Sequence, residues 1–280
     1  MAASDNLKKL VEKMPEKDAR GGKLTGPSWS DAAPVFDEVL KGGSKNIVGL
    51  ISMLSTTDDG KDIKPRYMLH AVTTYACTPG KDKDRACVAG AITSQLAGQS
   101  KDNQGFLMRQ LQLCADAKAA PELGKYLCTK DLSAPAAYAL TAIGKDALPQ
   151  FRAALPKAKG SCLLDVVQAL CVLADVKSVD GLKKAASNSD REIRITALQG
   201  LARIGDAGSV DLLIKASDAK DAWERVQTAR ACLELAEKLI AAGKIPQAKK
   251  IYTHLQKTRK DAGERYVGDI AAKALTARPL

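Results

Sequence analysis

Four times along this chain, an apolar pattern returns at almost the same spacing. Leucines anchor the pattern, and successive anchors are 29, 30 and 31 residues apart: Leu111, Leu140, Leu170 and Leu201. The two clearest copies continue at equal offsets, with Leu173, Val179 and Leu182 in one and Ile204, Val210 and Leu213 in the other. Apolar residues at this spacing form one face of a helix, and the later pair predicts a second helix after a short turn. Because such units pack on their neighbours, the pattern predicts an array of paired helices.

Small residues at the end of each first helix support this interpretation. Gly205 suits a helix C-terminus, where a positive φ costs little only for glycine. Gly144 takes the same place in the second copy, whereas Ala174 takes it in the third. The turns between paired helices are therefore predicted at regular positions along the chain.

The clearest unit resembles the short HEAT-like repeat of bacterial type, which is also found in phycobilisome-lyase-type proteins. That family pattern has an Asp, an Arg four residues later, an apolar helix, an Ile-Gly-Asp turn and a second helix. Asp190, Arg194 and the segment 204–206 match it, and the resemblance covers about residues 100–217 well. It implies an all-α fold, a right-handed α-α superhelix that forms a HEAT-like α-solenoid of antiparallel helix pairs. It also implies structural roles, with Asp190 capping a helix and Arg194 bracing the adjacent turn.

We expect three segments along the chain. Residues 1–30 are predicted to form an N-terminal leader helix and an irregular segment, residues 31–260 the HEAT-like repeats, and residues 261–280 a C-terminal capping helix. Ser30 is a candidate cap for the helix after the leader. Trp29 and Trp223 are the only tryptophans, and we expect each to pack into the core.

Basic residues outnumber acidic ones by 43 to 32, which gives a formal net charge of +11. Between Lys238 and Arg278, ten basic residues face three acidic ones, so +7 of this excess lies there. The basic stretch is formed by Lys249, Lys250, Lys257, Arg259 and Lys260, with Tyr252 and His254 interleaved. Such a face could bind phosphates by releasing counterions, or it could simply keep the protein in solution.

Signals of catalysis are missing from the sequence. It has two histidines, His70 and His254, and no phosphate loop, nucleophile elbow or H-E-x-x-H motif. We therefore expect no enzyme, no cofactor and no metal site. No apolar run approaches the roughly 18 residues of a membrane span, and no signal peptide is recognisable. A cytoplasmic protein and an exported one that has lost its signal both stay open.

The seven cysteines have long, irregular gaps and no C-x-x-C pair, which argues against a zinc site. Most have apolar neighbours and are predicted to pack as small hydrophobic side chains. Disulfides across helical hairpins, Cys77 with Cys87 and Cys114 with Cys128, are the alternative.

The favoured function is a non-enzymatic, monomeric scaffold that binds a protein partner on the surface lined by the second helices. Lys183, Lys184 and Lys215 are the candidate contacts on that surface, and charge reversal at Lys183 and Lys184 is expected to weaken binding. HEAT-like alkylpurine DNA glycosylases are basic helical solenoids of comparable size, so nucleic-acid binding through the basic stretch, with or without glycosylase activity, is one alternative. Two further alternatives are a bilin lyase and the repeat segment of a larger secreted bacterial protein.

Overall fold

We describe a computed structural model of the chain, which covers residues 2–18, 21, 23–55 and 60–277. The chain divides into two compact units, residues 1–150 and residues 151–280. Both units are built almost entirely from helices, which confirms the predicted all-α fold of helical repeats. Residues 56–59, and Arg278 at the end of the basic segment, lie outside the described residues.

The first unit consists of helices and one small hairpin. Its elements are α1 (Asp5–Glu12), β1 (Glu16–Lys17), β2 (Leu24–Thr25), α2 (Trp29–Lys41), α3 (Gly43–Ile51), α4 (Ile63–Ala76), α5 (Asp82–Gln95), α6 (Lys101–Cys114), α7 (Ala120–Gly124), α8 (Ser133–Ile143) and the start of α9 (Leu148–Ala154). The two strands pair antiparallel, with Glu16 opposite Thr25. First helices α2, α4, α6 and α8 pack in succession, and α3 packs on α5.

The second unit continues the same alternation of first and second helices. After α9 come α10 (Gly160–Leu173), α11 (Val179–Ala185), α12 (Arg191–Ile204), α13 (Val210–Ala216), α14 (Ala222–Ala241), α15 (Ile245–Thr258) and α16 (Arg265–Ala277). First helices α10, α12 and α14 pack in succession, while α11 and α13 pack on the first helix that follows each of them. The last helix, α16, packs chiefly on α15.

The apolar pattern of the sequence forms the core. All four leucine anchors, Leu111, Leu140, Leu170 and Leu201, are completely buried. The leucines twelve positions after three of them, Leu123, Leu182 and Leu213, are completely buried as well. Burying one such side chain contributes about 1.5–3 kcal/mol, so the repeated leucines are a main source of stability.

The predicted turns also form where the sequence places them. Gly205 follows α12 with φ of +79°, and Gly144 follows α8 with φ of +86°. Ala174, which follows α10, takes the same left-handed conformation as Gly205, with φ of +50°. A side chain is disfavoured in that region of backbone space, so Ala174 holds a strained position where its counterparts are glycines.

Asp190 and Arg194 have the structural roles that the repeat pattern implies. The Asp190 carboxylate accepts hydrogen bonds from the backbone N–H groups of Glu192 (2.8 Å) and Ile193 (3.3 Å), which caps α12. Arg194 donates to the carbonyl oxygens of Asn188 and Ser189, both at 2.9 Å. These bonds hold the turn that leads into α12.

The same arrangement recurs one repeat later, at a place that the sequence analysis missed. Asp221 caps α14 by accepting from the N–H of Glu224 at 2.8 Å. Arg225 donates to the carbonyl oxygens of Ala219 and Lys220, and to the carboxylate of Glu264 at 2.7 Å. The available signal was the Asp followed four residues later by an Arg.

A related brace lies in the first unit. Arg66 pairs with Asp62 at 2.7 Å and donates to the side chain of Asn103 at 2.6 Å. Because Asn103 lies in the first turn of α6, this arginine joins α4 to the next first helix.

Three expectations near helix starts are wrong. Ser28, and not Ser30, caps α2, because its hydroxyl oxygen accepts from the N–H of Asp31 at 3.3 Å. Trp29 is 45% exposed and Trp223 is 52% exposed. Each tryptophan lies in the first turn of a helix, and the Trp29 ring covers the buried Phe36 from outside, with 5.1 Å between the ring centroids.

Candidate binding surface

A groove opens beside the second helix α11, and we call it the α11 groove. It has a volume of about 450 Å³ and is lined by Arg152, Leu155, Pro156, Ala158, Leu163, Lys177, Ser178, Gly181, Lys184, Ala185 and Asn188. The end of α9 and the loop after it form one wall, and α11 with the turn before it forms the other. One of the predicted contact residues, Lys184, therefore lies in this groove.

A glycine sets the depth of the α11 groove. Gly181 lies on α11 directly against the Leu155 side chain, and a Cβ atom at this position would overlap Leu155 Cδ2. The loop after α9 can therefore lie close to α11, which leaves aliphatic side chains as the floor of the groove.

Arg152 is held in place by a buried carboxylate. It donates two hydrogen bonds of 2.8 Å to Asp175, and the Ser178 hydroxyl donates to the same carboxylate at 2.5 Å. The hydrogen bonds from Arg152 lower the pKa of Asp175, against the opposing effect of burial. Asp175 therefore stays ionised and fixes Arg152 at the edge of the groove.

Lys177 and Lys184 give the α11 groove its net charge. Both are exposed, and neither forms an ion pair with a residue in the described part of the chain. No acidic side chain is among the lining residues. The sequence analysis did not select Lys177, because nothing local distinguishes it from other surface lysines.

Lys183, one of the predicted contact residues, forms an ion pair with Asp206 within the protein. Its charge therefore cannot be reversed without disturbing the fold. Its ammonium lies 2.9 Å from Asp206, and Ser209 donates to the same carboxylate at 2.6 Å. Burial raises the pKa of Asp206, but the hydrogen bonds from Ser209 and Lys183 outweigh it and lower the pKa. This cluster repeats the arrangement of Arg152, Asp175 and Ser178 one helical repeat later, so comparison of the repeats could have identified both clusters.

Lys184 and Lys215 occupy equivalent positions in successive second helices. Each lies in the last turn of its helix, α11 or α13, and each side chain is exposed. These two residues remain candidates for direct contact with a partner.

Most of the basic stretch lines a second groove, which we call the α15 groove. It has a volume of about 450 Å³ and is lined by Ile214, Pro246, Lys249, Lys250, Thr253, His254 and Lys257. The structure thus brings Lys249, Lys250 and Lys257 together. Lys250 lies 2.5 Å from Asp211, and His254 lies 3.1 Å from Asp218, so acidic residues at its edge offset part of the charge.

Two residues of this stretch do not lie on an exposed face, contrary to expectation. Arg259 is only 5% exposed and donates to Asp218 at 2.7 Å and to the carbonyl oxygen of Ser217. Tyr252 is completely buried, and its hydroxyl donates to Glu237 at 2.5 Å. Arg259 is thus a buried brace, and Tyr252 cannot stack on a nucleic-acid base, whereas Lys260 is exposed.

The two histidines lie in different units and have separate partners. His70 Nδ1 lies 2.9 Å from Gln110 Oε1 in the first unit, and His254 contacts Asp218 in the second. Across the residues that the structure covers, no group of three or more His, Cys, Asp or Glu side chains is placed to hold a metal ion. Within the same residues, no helix has the length and apolar character needed to cross a membrane.

All seven cysteines are free thiols, so neither disulfide considered from the sequence is formed. Four of them, Cys114, Cys162, Cys171 and Cys232, are buried. Burial raises the pKa of Cys114 and of Cys232 to about 12 in each case. Their packing as small hydrophobic side chains agrees with the favoured prediction.

The stacked helix pairs and their surface grooves define a helical-repeat scaffold. Residues 163–234, which include α11, α12 and α13, match the family model described as HEAT repeats, and this match supports the resemblance to HEAT-like repeats. No functionally curated protein matches the sequence.

The chain is also similar, at low sequence identity, to solved structures. One belongs to the complex of CpcE and CpcF of phycocyanin lyase from a Nostoc species, with 16% identity, a TM-score of 0.38, and coverage of 85% of this chain and 94% of that one. Another is an engineered protein, with 17% identity, a TM-score of 0.31, and coverage of 98% of each chain. These TM-scores are too low to carry a fold or an activity over to this chain.

Proposed function

We propose that this protein is a non-enzymatic scaffold that holds a protein partner on the surface formed by its second helices. The observation that carries the proposal is the α11 groove, where an aliphatic floor meets two lysines without acidic partners. Interfaces between proteins combine a buried apolar centre with a polar rim, and this groove has both parts.

The chemistry of the side chains supports binding over catalysis. A thiol with a pKa near that of Cys114 or Cys232, about 12, is almost wholly protonated at neutral pH and is a poor nucleophile. His70 contacts an amide and His254 contacts the carboxylate of Asp218, and within the described residues neither ring is hydrogen-bonded to a hydroxyl or thiol nucleophile.

The proposal is tested by affinity capture from a lysate of the source organism, followed by quantitative mass spectrometry. Three baits are compared: the wild type, the surface variant Lys184→Glu/Lys215→Glu, and the control variant Lys220→Glu/Lys273→Glu. The control carries the same charge change on exposed lysines that do not line the α11 groove. Lys183 is left intact because its reversal would oppose Asp206 and disturb the fold.

We expect at least one protein to be enriched on the wild type and on the control, and to be depleted about tenfold or more on the surface variant. Equal capture on all three baits would contradict the surface assignment. Capture of nothing above the level of an empty matrix would contradict the scaffold itself.

The α15 groove favours nucleic-acid binding as a second candidate function, because Lys249, Lys250 and Lys257 line it together. Fluorescence anisotropy of a labelled duplex, repeated over a salt series, tests this candidate. Binding that weakens steeply with salt, and further in a Lys249→Gln/Lys257→Gln variant, would support it. No binding at low salt would reject it.

A further inference from the structure

We propose that the α11 groove recognises an acidic peptide segment that carries an aliphatic side chain. The aliphatic side chain would occupy the floor of the groove, and the flanking carboxylates would meet Lys177 and Lys184. This inference rests on the proposed scaffold function and names the chemistry of the partner.

The floor of the groove is aliphatic. Leu155, Pro156, Ala158, Leu163 and Ala185 line it together with Gly181. A volume of about 450 Å³ falls within the range of roughly 300–1,000 Å³ found for ligand pockets, so one large aliphatic side chain fits. Apolar surface removed from water supplies the non-directional part of the binding free energy.

The two lysines stand at opposite ends of α11. Lys177 lies in the turn before the helix, and Lys184 lies in its last turn. Seven residues separate them, which corresponds to roughly 10 Å along a helix at about 1.5 Å per residue. An extended peptide covers this distance in about three residues, so the matching pattern is two acidic residues about three positions apart with an aliphatic residue between them.

Arg152 adds a fixed donor beside these exposed lysines. Its Nε and one terminal nitrogen are bonded to Asp175, while the other terminal nitrogen, Nη1, has no hydrogen-bond partner among the described residues. A carboxylate that enters the groove can accept from this nitrogen without displacing Asp175. Since Arg152 is already immobilised, little side-chain entropy is lost on binding.

The lining of the groove favours a peptide over a nucleic acid. Bases bind single-stranded sites by stacking on aromatic or planar groups, and no aromatic side chain lines this groove. Aliphatic walls with two lysines at the rim instead match a side chain such as leucine between two carboxylates.

The test uses a fluorescein-labelled peptide of repeating Asp-Leu-Leu, which places aspartates three positions apart, blocked at both ends, in an anisotropy titration. Two further peptides replace every aspartate by asparagine or every leucine by serine. The proteins are the full chain, its Lys177→Glu/Lys184→Glu variant, and the Lys220→Glu/Lys273→Glu control with the same net charge. Circular dichroism establishes that each variant is folded before binding is measured.

We expect the wild type and the control variant to bind the aspartate–leucine peptide with similar affinity, and the Lys177→Glu/Lys184→Glu variant to bind it about tenfold or more weakly. The asparagine and serine peptides are each expected to bind less tightly to the wild type. Equal binding by both variants would overturn the proposal, and so would undiminished binding of either altered peptide. A labelled single-stranded oligonucleotide that binds more tightly, and depends on the same two lysines, would assign the groove to nucleic acid instead.

The result is separable from the test of the scaffold. If the lysate partner is lost from the surface variant but peptide binding does not depend on Lys177 and Lys184, the scaffold stands and the groove chemistry is wrong. If the peptide binds through these lysines but no cellular protein is captured, the groove is a site and the scaffold proposal is wrong.

Discussion

Arg194 and Glu224 form a two-point ion pair between α12 and α14, with N···O distances of 2.8 and 2.7 Å. The remaining terminal nitrogen of Arg194 donates to two carbonyl oxygens in the turn before α12. One guanidinium thus closes a turn within its own repeat and fastens that repeat to the next. A lysine could not make both connections, because it has a single nitrogen.

Replacing Arg194 should therefore lower the stability of the protein. For Arg194→Lys we expect the free energy of unfolding to fall by about 2 kcal/mol, because Glu224 loses a bidentate partner and two carbonyl groups lose their donor. Urea denaturation followed by circular dichroism measures the change. Arg191→Lys, at a side chain that is 46% exposed, is the control and should change stability by less than about 0.5 kcal/mol. Equal effects of the two substitutions would contradict the brace.

The carboxylate of Asp175 should make stability depend on pH. Its pKa is lowered from an ordinary 3.8 by the hydrogen bonds from Arg152, so the folded state favours the ionised form. The contribution is complete above the ordinary pKa and is lost as pH falls through the folded pKa, which lies below 3.8. Asp175→Asn should cost about 2 kcal/mol at neutral pH, and the gap to the wild type should narrow in acid. Urea titrations from neutral to acidic pH measure the difference in the free energy of unfolding between Asp175→Asn and the wild type, with Asp180→Asn, at an exposed site, as the control. A difference that does not change with pH would contradict the role of the Asp175 carboxylate.

The strained turn at Ala174 should be improved by the residue that its counterparts carry. Ala174→Gly is expected to raise the free energy of unfolding by up to about 1 kcal/mol, since glycine adopts a positive φ without the penalty of a Cβ atom. The reciprocal substitution, Gly205→Ala, should lower it by about 1 kcal/mol or more, because the new Cβ also comes within 3.3 Å of Lys238 Cβ. Thermal unfolding of both variants checks the pair. Shifts of the same sign would show that φ at this turn does not control stability.

Close packing of α16 should depend on Gly268. A Cβ atom there would lie 2.5 Å from the backbone oxygen of Arg259, and a backbone atom cannot move aside cheaply. We expect Gly268→Ala to destabilise the protein by about 1–3 kcal/mol, the usual cost of overpacking. Gly263→Ala is the matched control, because its Cβ would meet nothing within 4 Å. Urea denaturation measures the free energy of unfolding of both variants. A Gly268→Ala protein as stable as the wild type would contradict the close packing of Gly268 against Arg259.

The thiols should differ in reactivity. In the native protein at mildly alkaline pH, Cys128, which is exposed, should react with a maleimide well before Cys114 and Cys232. The latter two are buried and their pKa values are raised to about 12, so little thiolate is present. Peptide mapping after timed labelling gives the order. A thiol titration of the denatured, unreduced protein should count seven, and a count of three would restore the two disulfides.

The local features of the fold could be derived from the sequence because their causes lie within a few residues. The leucine anchors mark the buried face of each first helix, as Leu201 and Leu170 show. The cap at Asp190 and the turn at Gly205 depend on a side chain or a φ angle beside the helix end itself. The prediction of a helix cap failed at Ser30, because Ser28 lies two positions earlier and a serine suits the cap equally well at either position.

Only part of the candidate site was predicted from the sequence, because its contacts join residues of different repeats. Lys184 was among the predicted contact residues and is exposed on α11, but Lys177 and Arg152, which line the same groove, were not predicted. Arg259 was grouped with exposed lysines, although its contacts with Asp218 make burial of its charge tolerable. Such contacts join residues tens of positions apart, so no local sequence pattern predicts them.

The sequence by itself determined the repeat length, the buried face of the main helices and the positions of the turns, because helical periodicity and backbone preference are local properties. The tertiary structure decided which charged groups meet. Lys183 is paired with Asp206, whereas the adjacent Lys184 is not. Consecutive residues of a helix point in different directions, so the two side chains meet different surroundings. The α11 groove depends on tertiary contacts as well, because its aliphatic floor includes Leu155, which lies against Gly181 of α11 only when two repeats are stacked.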